Sequence, residues 1–344
     1  MRKIFILQVI ALLSSLTLQA QHKQQFDLDA PAVKVKNSRY NAIKLIDIRN
    51  DTTNIGFVQT GMLNRRALVV PGKPLVNQLS GLLNSITDSS ATHNELLMEL
   101  RQFSFAEMTG AMSEKGYCCL RAGLYTKVAD KYWLIGAIDT LVQVKGMVDV
   151  TKALLKTGGE TLCNFIAYNL LKQPEGTEAF TVHEILNIDS VEKSRIKLYN
   201  VSAYKDGLYT TYKQFMDQEP DKQIVVDGYE IYPDAVKAKD KDNKLRKVKS
   251  QSIYAIVYNG QPYIASRDEY SPLKKVGSDF LFTGNAKVSP SMGEQVTASM
   301  MLGLLGSLMV SNAEGRFEMK IDHKNGSFIK LKEIIEPEKP AYSE

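Results

Sequence analysis

LLMELRQFSFAEMTGAMSEKGYCCLRAGLYTKVADKYWLIGAIDTLVQVK, residues 96–145, holds three strand-length runs: Leu96 to Ala106, Tyr117 to Val128 and Tyr132 to Lys145. Each is rich in aliphatic and aromatic residues, and turns separate them, so the stretch predicts an antiparallel meander. Upstream, Ala67 to Val70 reads as a strand and Pro74 sits where the first turn of a helix accepts proline. Leu75, Leu79, Leu82, Leu83 and Ile86 then form one apolar stripe at helical spacing. Further upstream, Ile43, Leu45, Ile46 and Ile48 make a short strand that runs into a polar turn, Arg49 to Gly56. Downstream, Val150 to Leu171 has a helical pattern in which Gly158-Gly159 is expected to break or kink the helix.

This pattern gives an α+β fold: an N-terminal α+β domain with an antiparallel meander and two helices, then a β-rich C-terminal domain carrying one apolar helix. The expected boundaries are a signal peptide over 1–20, a flexible lead-in over 21–41, the α+β domain over 42–172, a linker over 173–194, the β-rich domain over 195–335 and a tail over 336–344. From Arg195 to Tyr270 the chain holds most of its 16 tyrosines, and strand signals dominate there. Asn259-Gly260 marks a two-residue hairpin turn, with Pro262 expected on an edge strand. Near the end, Phe317, Met319 and Ile321 alternate with polar residues. A three-residue loop Lys324-Asn325-Gly326 would set Ile321 opposite Ile329, with Gly326 in the left-handed conformation closing a bulge.

The first twenty residues predict export. Arg2 and Lys3 form a positive start, Ile4 to Leu13 an apolar run broken by Gln8, and Leu18-Gln19-Ala20 a small-residue cleavage site before Gln21. The apolar run is about half the roughly 20 residues that a spanning helix needs, so cleavage between Ala20 and Gln21 is expected and the mature chain would act in the periplasm or outer cell envelope. Removing Arg2 and Lys3 takes 43 basic residues to 41 against 38 acidic ones, so the net charge falls from +5 to +3. So small an excess argues against nucleic acid as a partner. Apolar residues make up 44% of the chain, enough for two ordinary cores. Cys118 and Cys119 are adjacent on a strand and point to opposite faces, so at most one could readily pair with Cys163; free, buried thiols are the simpler reading.

Two segments resemble known modules. Lys44 to Gly56, containing Asp47-Ile48-Arg49-Asn50-Asp51-Thr52-Thr53-Asn54-Ile55-Gly56 and followed by helix, meander and helix, resembles small α+β domains of bacterial envelope lipoproteins, including those related to the curli-secretion lipoprotein. The chain departs from them in having no lipid-bearing cysteine after the expected cut. The second half resembles a module of uncharacterised secreted proteins from the Bacteroidetes. Tyr204-Lys205-Asp206-Gly207-Leu208-Tyr209-Thr210-Thr211-Tyr212-Lys213-Gln214-Phe215, Pro220, Tyr254 to Tyr263, Phe280-Leu281-Phe282 and the closing hairpin carry this likeness. The resemblance implies an envelope or secreted setting and brings no catalytic residue or cofactor.

The chain carries few motifs of known chemistry. His22, His93, His183 and His323 lack any metal-ligand spacing, so no metal or other cofactor is expected. Lys156-Thr157-Gly158, Ser194-Arg195-Ile196-Lys197 and Ser271-Pro272-Leu273-Lys274 match elements of penicillin-interacting enzymes but in the wrong order. Gly303-Leu304-Leu305-Gly306 lacks the lysine of a phosphate loop. Asp47, Asp51 and Asp139 could be paired carboxylates, but a turn cap and exposed strand positions account for them. Lys237 to Lys249 is basic but interrupted by Asp240 and Asp242, as in a solvated hairpin loop.

Two functional classes follow: a noncatalytic interaction or scaffold protein of the cell envelope with envelope proteins as partners, and a glycan-binding or glycan-hydrolysing protein whose tyrosine-rich strands stack sugars. The candidate interaction element lies in Val296 to Val310, which has no charged residue. Ser299, Gly303, Ser307 and Ser311 recur every fourth position and would form one narrow face of a helix. That helix would either pack against the C-terminal sheet or stand exposed, self-associating or touching the outer-membrane surface peripherally.

Overall fold

In the computed structural model, residues 22–31, 34–61, 65–109, 113–147, 149–174, 176, 178–228, 231–232, 234–240, 242–266, 269–287 and 314–334 are described. The expected cleavage site at Ala20 and Gln21, and the small-residue face of Ser299, Gly303, Ser307 and Ser311, lie outside these residues.

The fold is α+β with a β-rich C-terminal part. Its first layer is one mixed sheet. Strands β1 (His22–Phe26), β2 (Ala42–Asp47), β3 (Gly56–Thr60) and β4 (Arg65–Pro71) precede helix α1 (Leu75–Ile86). The meander β5 (Glu95–Thr109), β6 (Glu114–Val128) and β7 (Lys131–Gly146) and then helix α2 (Thr151–Asn169) follow. The sheet runs β1-β4-β3-β5-β6-β7, and β2 also pairs with β5, beyond β3 on the same edge. The expected stripe of α1, Leu75, Leu79, Leu82, Leu83 and Ile86, is buried on one face of this sheet beside Leu154, Leu162 and Ile166 of α2 and Leu170 at its C-cap. None of the three cysteines forms a disulfide and all are buried, and burial raises the Cys163 thiol to about 11.

Three expectations for this domain need correction. The lead-in is part of the sheet: β1 pairs parallel with β4, and Phe26 stacks edge-on against Phe103 at 5.3 Å. A five-residue strand reading His-Lys-Gln-Gln-Phe has one apolar residue and leaves no periodic signal. Helix α2 runs unbroken through Gly158-Gly159 because Gly158 is a contact point. A Cβ there would lie 2.4 Å from Phe105 Cε1. Residues 178–193, expected within a linker, fold as β8 (Ala179–Phe180), α3 (Val182–Leu186) and α4 (Ile188–Lys193). Thr181 and Glu184 cap α3 reciprocally, and Phe180, Ile185 and Ile188 bury themselves against Leu97 and Tyr125 on the sheet face opposite α1 and α2.

The C-terminal part contains α5 (Lys197–Asn200), β9 (Gly207–Tyr209), α6 (Tyr212–Asp217), β10 (Ile224–Val226), β11 (Val236–Lys239), β12 (Leu245–Lys247), β13 (Ala255–Tyr258), β14 (Gln261–Ala265) and β15 (Tyr270–Pro272). It ends with β16 (Lys274–Val276), β17 (Asp279–Lys287), β18 (Glu314–Ile321) and β19 (Phe328–Glu333). The sheets β15-β14-β13-β9 and β16-β17-β18-β19 share a core of Tyr209, Phe215, Val257, Phe280, Phe282, Phe317 and Met319. Asn259 and Gly260 both have positive φ in the expected two-residue turn. However, β14 is an interior strand, so Pro262 does not mark an edge. It sits past the last residue pair with β15, where its carbonyl accepts from Leu273 N–H.

The closing hairpin also differs from expectation. Ile321 faces Phe328, and the loop His323-Lys324-Asn325-Gly326 is one residue longer than expected, closed by Asp322 N–H donating to Ser327 O at 2.8 Å. Gly326 is left-handed at φ +75, but the bulge falls at Glu318/Met319. Tyr212 Oη donates to His323 O and Tyr254 Oη to Gly326 O, both at 2.8 Å, so two tyrosines of the second core anchor this loop.

Candidate functional site

The polar turn and the meander build a polar concave region. β2 and β3 share one edge of β5, and the turn between them lies beside Arg101 to Ser104. Ile48 N–H donates to Leu100 O, and Phe105 N–H donates to Ile55 O. Gly56 closes the turn at φ +115 with its Cα against the Phe105 backbone; a Cβ there would meet Phe105 O at 2.0 Å. Arg49 Nε and Nη2 donate to the two Asp47 oxygens at 2.8 and 2.7 Å, and Arg49 Nη1 donates to Asn54 O. Asp51 accepts from Thr53 N–H, Thr53 Oγ1 and Asn54 Nδ2. The turn after β2 is thus self-locked, with Asp47 and Asp51 in structural roles.

A cleft of about 180 Å³ opens beside this turn, lined by Arg49, Asp51, Arg101, Arg121, Asp189 and Asp322 among others. Arg101 reaches it because a bulge leaves it without a partner on β6. Its Nη1 donates to Glu192 Oε2 at 2.7 Å and to Asp189 Oδ1 at 3.3 Å, both carboxylates belonging to α4. Glu99 Oε1 lies 2.9 Å from Arg101 Nε, a charge contact without the alignment of a hydrogen bond. From the closing hairpin, His323 Nε2 meets Glu192 Oε2 at 2.8 Å and Lys324 Nζ donates to Glu192 Oε1 at 2.9 Å. Arg121 joins Asp322 at 2.7 Å and Asp139 at 2.9 Å. The sheet, α4 and the hairpin loop are clasped by one ion-pair network.

The electrostatics divide the two inner carboxylates. Burial pushes Glu99 up to about 7, with Glu192 and Asp189 adding to the rise and Arg101 opposing it. Glu192 is also desolvated, but hydrogen bonds from His323, Arg101 and Lys324 outweigh that and hold it far below the usual carboxylate range. For Glu99, a folded pKa above the unfolded value makes the folded state bind the extra proton, so its contribution to stability declines as pH rises from about 4.5 to 7. Glu192 contributes above the unfolded carboxylate pKa and loses that contribution as pH falls below it. Glu99→Gln should therefore flatten the decline in the urea midpoint between about pH 5 and 7.5, leaving the acid limb in place. A parallel decline in the variant would assign the slope to another group.

Asp189, Glu192 and His323 bring one ligand atom each within 4.8 Å of one another. Arg101 and Lys324 already neutralise Glu192 there, so a metal ion would meet two cations in its second shell. A second acidic group, Glu107, Glu114 and Asp149, serves the start of α2. Glu114 accepts from Val150 N–H, Asp149 from Thr151 N–H and Glu107 from Thr151 Oγ1. Lys156-Thr157-Gly158 lies within α2, where Thr157 Oγ1 donates back to Ala153 O. Ser194 Oγ donates to Val191 O, and Ser271 is buried in β15. Among the described residues, neither serine hydroxyl hydrogen-bonds to a basic side chain. His323 and Glu192 are separated by 131 positions, so no sequence motif could have paired them.

No family model matches the chain, and no curated protein matches it. Among solved structures, a Xanthomonas campestris protein of the DUF330 family is 10% identical, covering 43% of this chain and 92% of its own, with a TM-score of 0.27. An uncharacterised protein is 12% identical, covering 44% and 97% respectively, with a TM-score of 0.24.

Proposed function

We propose that the chain is an exported cell-envelope protein that acts without catalysis, by binding other protein chains through the open edge of its first sheet. The observation that carries this reading is the length of that edge. β7 pairs with β6 over its whole length, whereas β8 covers only Tyr132 and Trp133. Among the described residues, no strand pairs with the other side of Leu134 to Gly146. Such an edge presents a row of unpaired N–H and C=O groups that adds a strand from a partner.

The setting is supported by the three-part export signal at residues 1–20 and by the likeness of both halves to envelope and secreted modules. Against the glycan reading, Tyr199, Tyr209 and Tyr270 are buried and Tyr204, Tyr212 and Tyr254 pack against the second core, while Tyr232 stands exposed. Arg101 and Arg121, which line the charged cleft, are already paired with its own acids, Arg101 with Asp189 and Arg121 with Asp322. Two measurements test the proposal. Intact-mass analysis of the chain from an envelope fraction should begin at Gln21, and retention of Met1 would exclude cleavage. A photo-crosslinking residue at Gln143, exposed on the open edge, should give protein adducts in cells, whereas the same group at exposed Lys152 of α2 should not. Equal labelling at both positions would remove the edge from the proposal.

A further inference from the structure

The edge of β7 has a pattern that points to one occupant. The bulge at Ile135 ends the twisted start of the strand: Leu124 faces Gly136 while Tyr125 faces Leu134. From Gly136 to Gly146 every residue is half-buried or exposed, in contrast to β6, whose centre is almost wholly buried. Between Leu134 and Gly146 the charged residues are Asp139 and Lys145, of opposite sign, with Val142 midway between them. Their spacing is even, so both side chains leave the same face of the sheet. Ile138, Val142 and Val144 leave the other face and pack against the main core, while Leu141 packs with Tyr117 and Cys119.

This arrangement complements itself. When two copies of the strand run antiparallel about a twofold axis at Val142, Asp139 of each copy faces Lys145 of the other. Leu141 then faces Gln143, Thr140 faces Val144, and Val142 faces Val142. We propose that β7 pairs in this register with β7 of a second copy, joining the two N-terminal sheets into one continuous sheet across a homodimer. The inference rests on the reading of the β7 edge as the interaction surface. A twofold normal to the sheet keeps the helical layer on the same side in both copies. An axis at Thr140 would lengthen the ladder, but it would place Asp139 against Leu141 and Lys145 against the bulged Ile135. Opposite charges directly across a strand pair stabilise it and like charges destabilise it, which selects the axis at Val142. Asp139 Oδ2 already accepts from Arg121 at 2.9 Å, yet about a third of the Asp139 side chain is exposed and open to the second cation.

Sedimentation velocity of the full chain across the micromolar range should show a dimer. Lys145→Glu, which sets two acids opposite each other twice, should weaken it by about tenfold while the folded circular dichroism spectrum is retained. Adding Asp139→Asn to Lys145→Glu, which removes the facing like charges and keeps an oxygen for Arg121, should recover most of the lost affinity, with circular dichroism confirming that the double variant folds. A wild-type chain that stays monomeric overturns the inference, as does a dimer indifferent to Lys145→Glu. The photo-crosslinker at Gln143 separates this proposal from the reading beneath it. An adduct at twice the chain mass supports the homodimer, and adducts only at other masses overturn the homodimer while leaving the binding edge in place. No adduct at all overturns both.

Discussion

Replacing Arg101 by alanine should destabilise the folded chain by about 3–5 kcal/mol, more than removal of any surface ion pair, for which the typical contribution is about 0–1 kcal/mol. Arg101 is 9% exposed at its side chain and holds three carboxylates from two parts of the fold. Its loss leaves fully buried Glu99 without the cation it touches, with Lys324 alone to offset it, and leaves Glu192 held by His323 and Lys324. Removing both partners should cost much less: Arg101→Met with Glu99→Leu replaces a buried ion pair by apolar groups of similar size, a change that is often neutral. Equilibrium urea unfolding of the single and double variants gives the comparison. The single variant should also lose order in α4 and the 322–327 loop, seen as faster amide exchange there, because both are tied to the sheet through Glu192. A single variant within 1 kcal/mol of wild type would show that the clasp holds nothing together.

The elements whose residues lie near one another in the chain are legible in the sequence. The stripe of α1 and the three runs of the meander have helical or strand-like patterning, because one face of each must be apolar. Asn259-Gly260 announces its turn because few other pairs tolerate two positive φ angles. What escaped is held by contacts across long separations or by too few residues to be periodic. β1 contributes only Phe26 to the core, and its polar residues pair with β4 through the backbone. α3 and α4 are five and six residues long, too short for an amphipathic pattern, although the Thr181 and Glu184 capping pair was present to be read. The clasp joins Arg101 to Glu192 and Glu192 to His323 across 91 and 131 positions. The one-residue error in the closing hairpin follows from counting only apolar alternation. The loop length is set instead by Tyr212 and Tyr254, which hold the carbonyls at its two ends.

Two adjacent glycines of α2 should respond in opposite directions to the same substitution. In a helix interior, Gly→Ala ordinarily stabilises by about 0.5–1 kcal/mol, since it lowers the backbone entropy lost on folding. At Gly159 the nearest atom to a new Cβ is Phe26 Cε2 at 3.6 Å, an ordinary contact, so Gly159→Ala should show that gain. At Gly158 the new Cβ would lie 2.4 Å from Phe105 Cε1 and 2.8 Å from Cys118 Sγ. Phe105 has no room to retreat: it is fully buried and packs against Phe26 and Phe103 at 5.3 and 5.2 Å. The helix must therefore move off the sheet or the ring must leave its rotamer, and overpacking of this kind costs about 1–3 kcal/mol, beyond what the propensity gain offsets. Gly158→Leu should prevent folding of the first domain altogether. Thermal unfolding of the two alanine variants decides the matter, because a helix merely weakened by a glycine pair would be stabilised at both positions. If Gly158→Ala raises the melting temperature, α2 does not rest on Phe105 and the sheet–helix contact is looser than the structure places it.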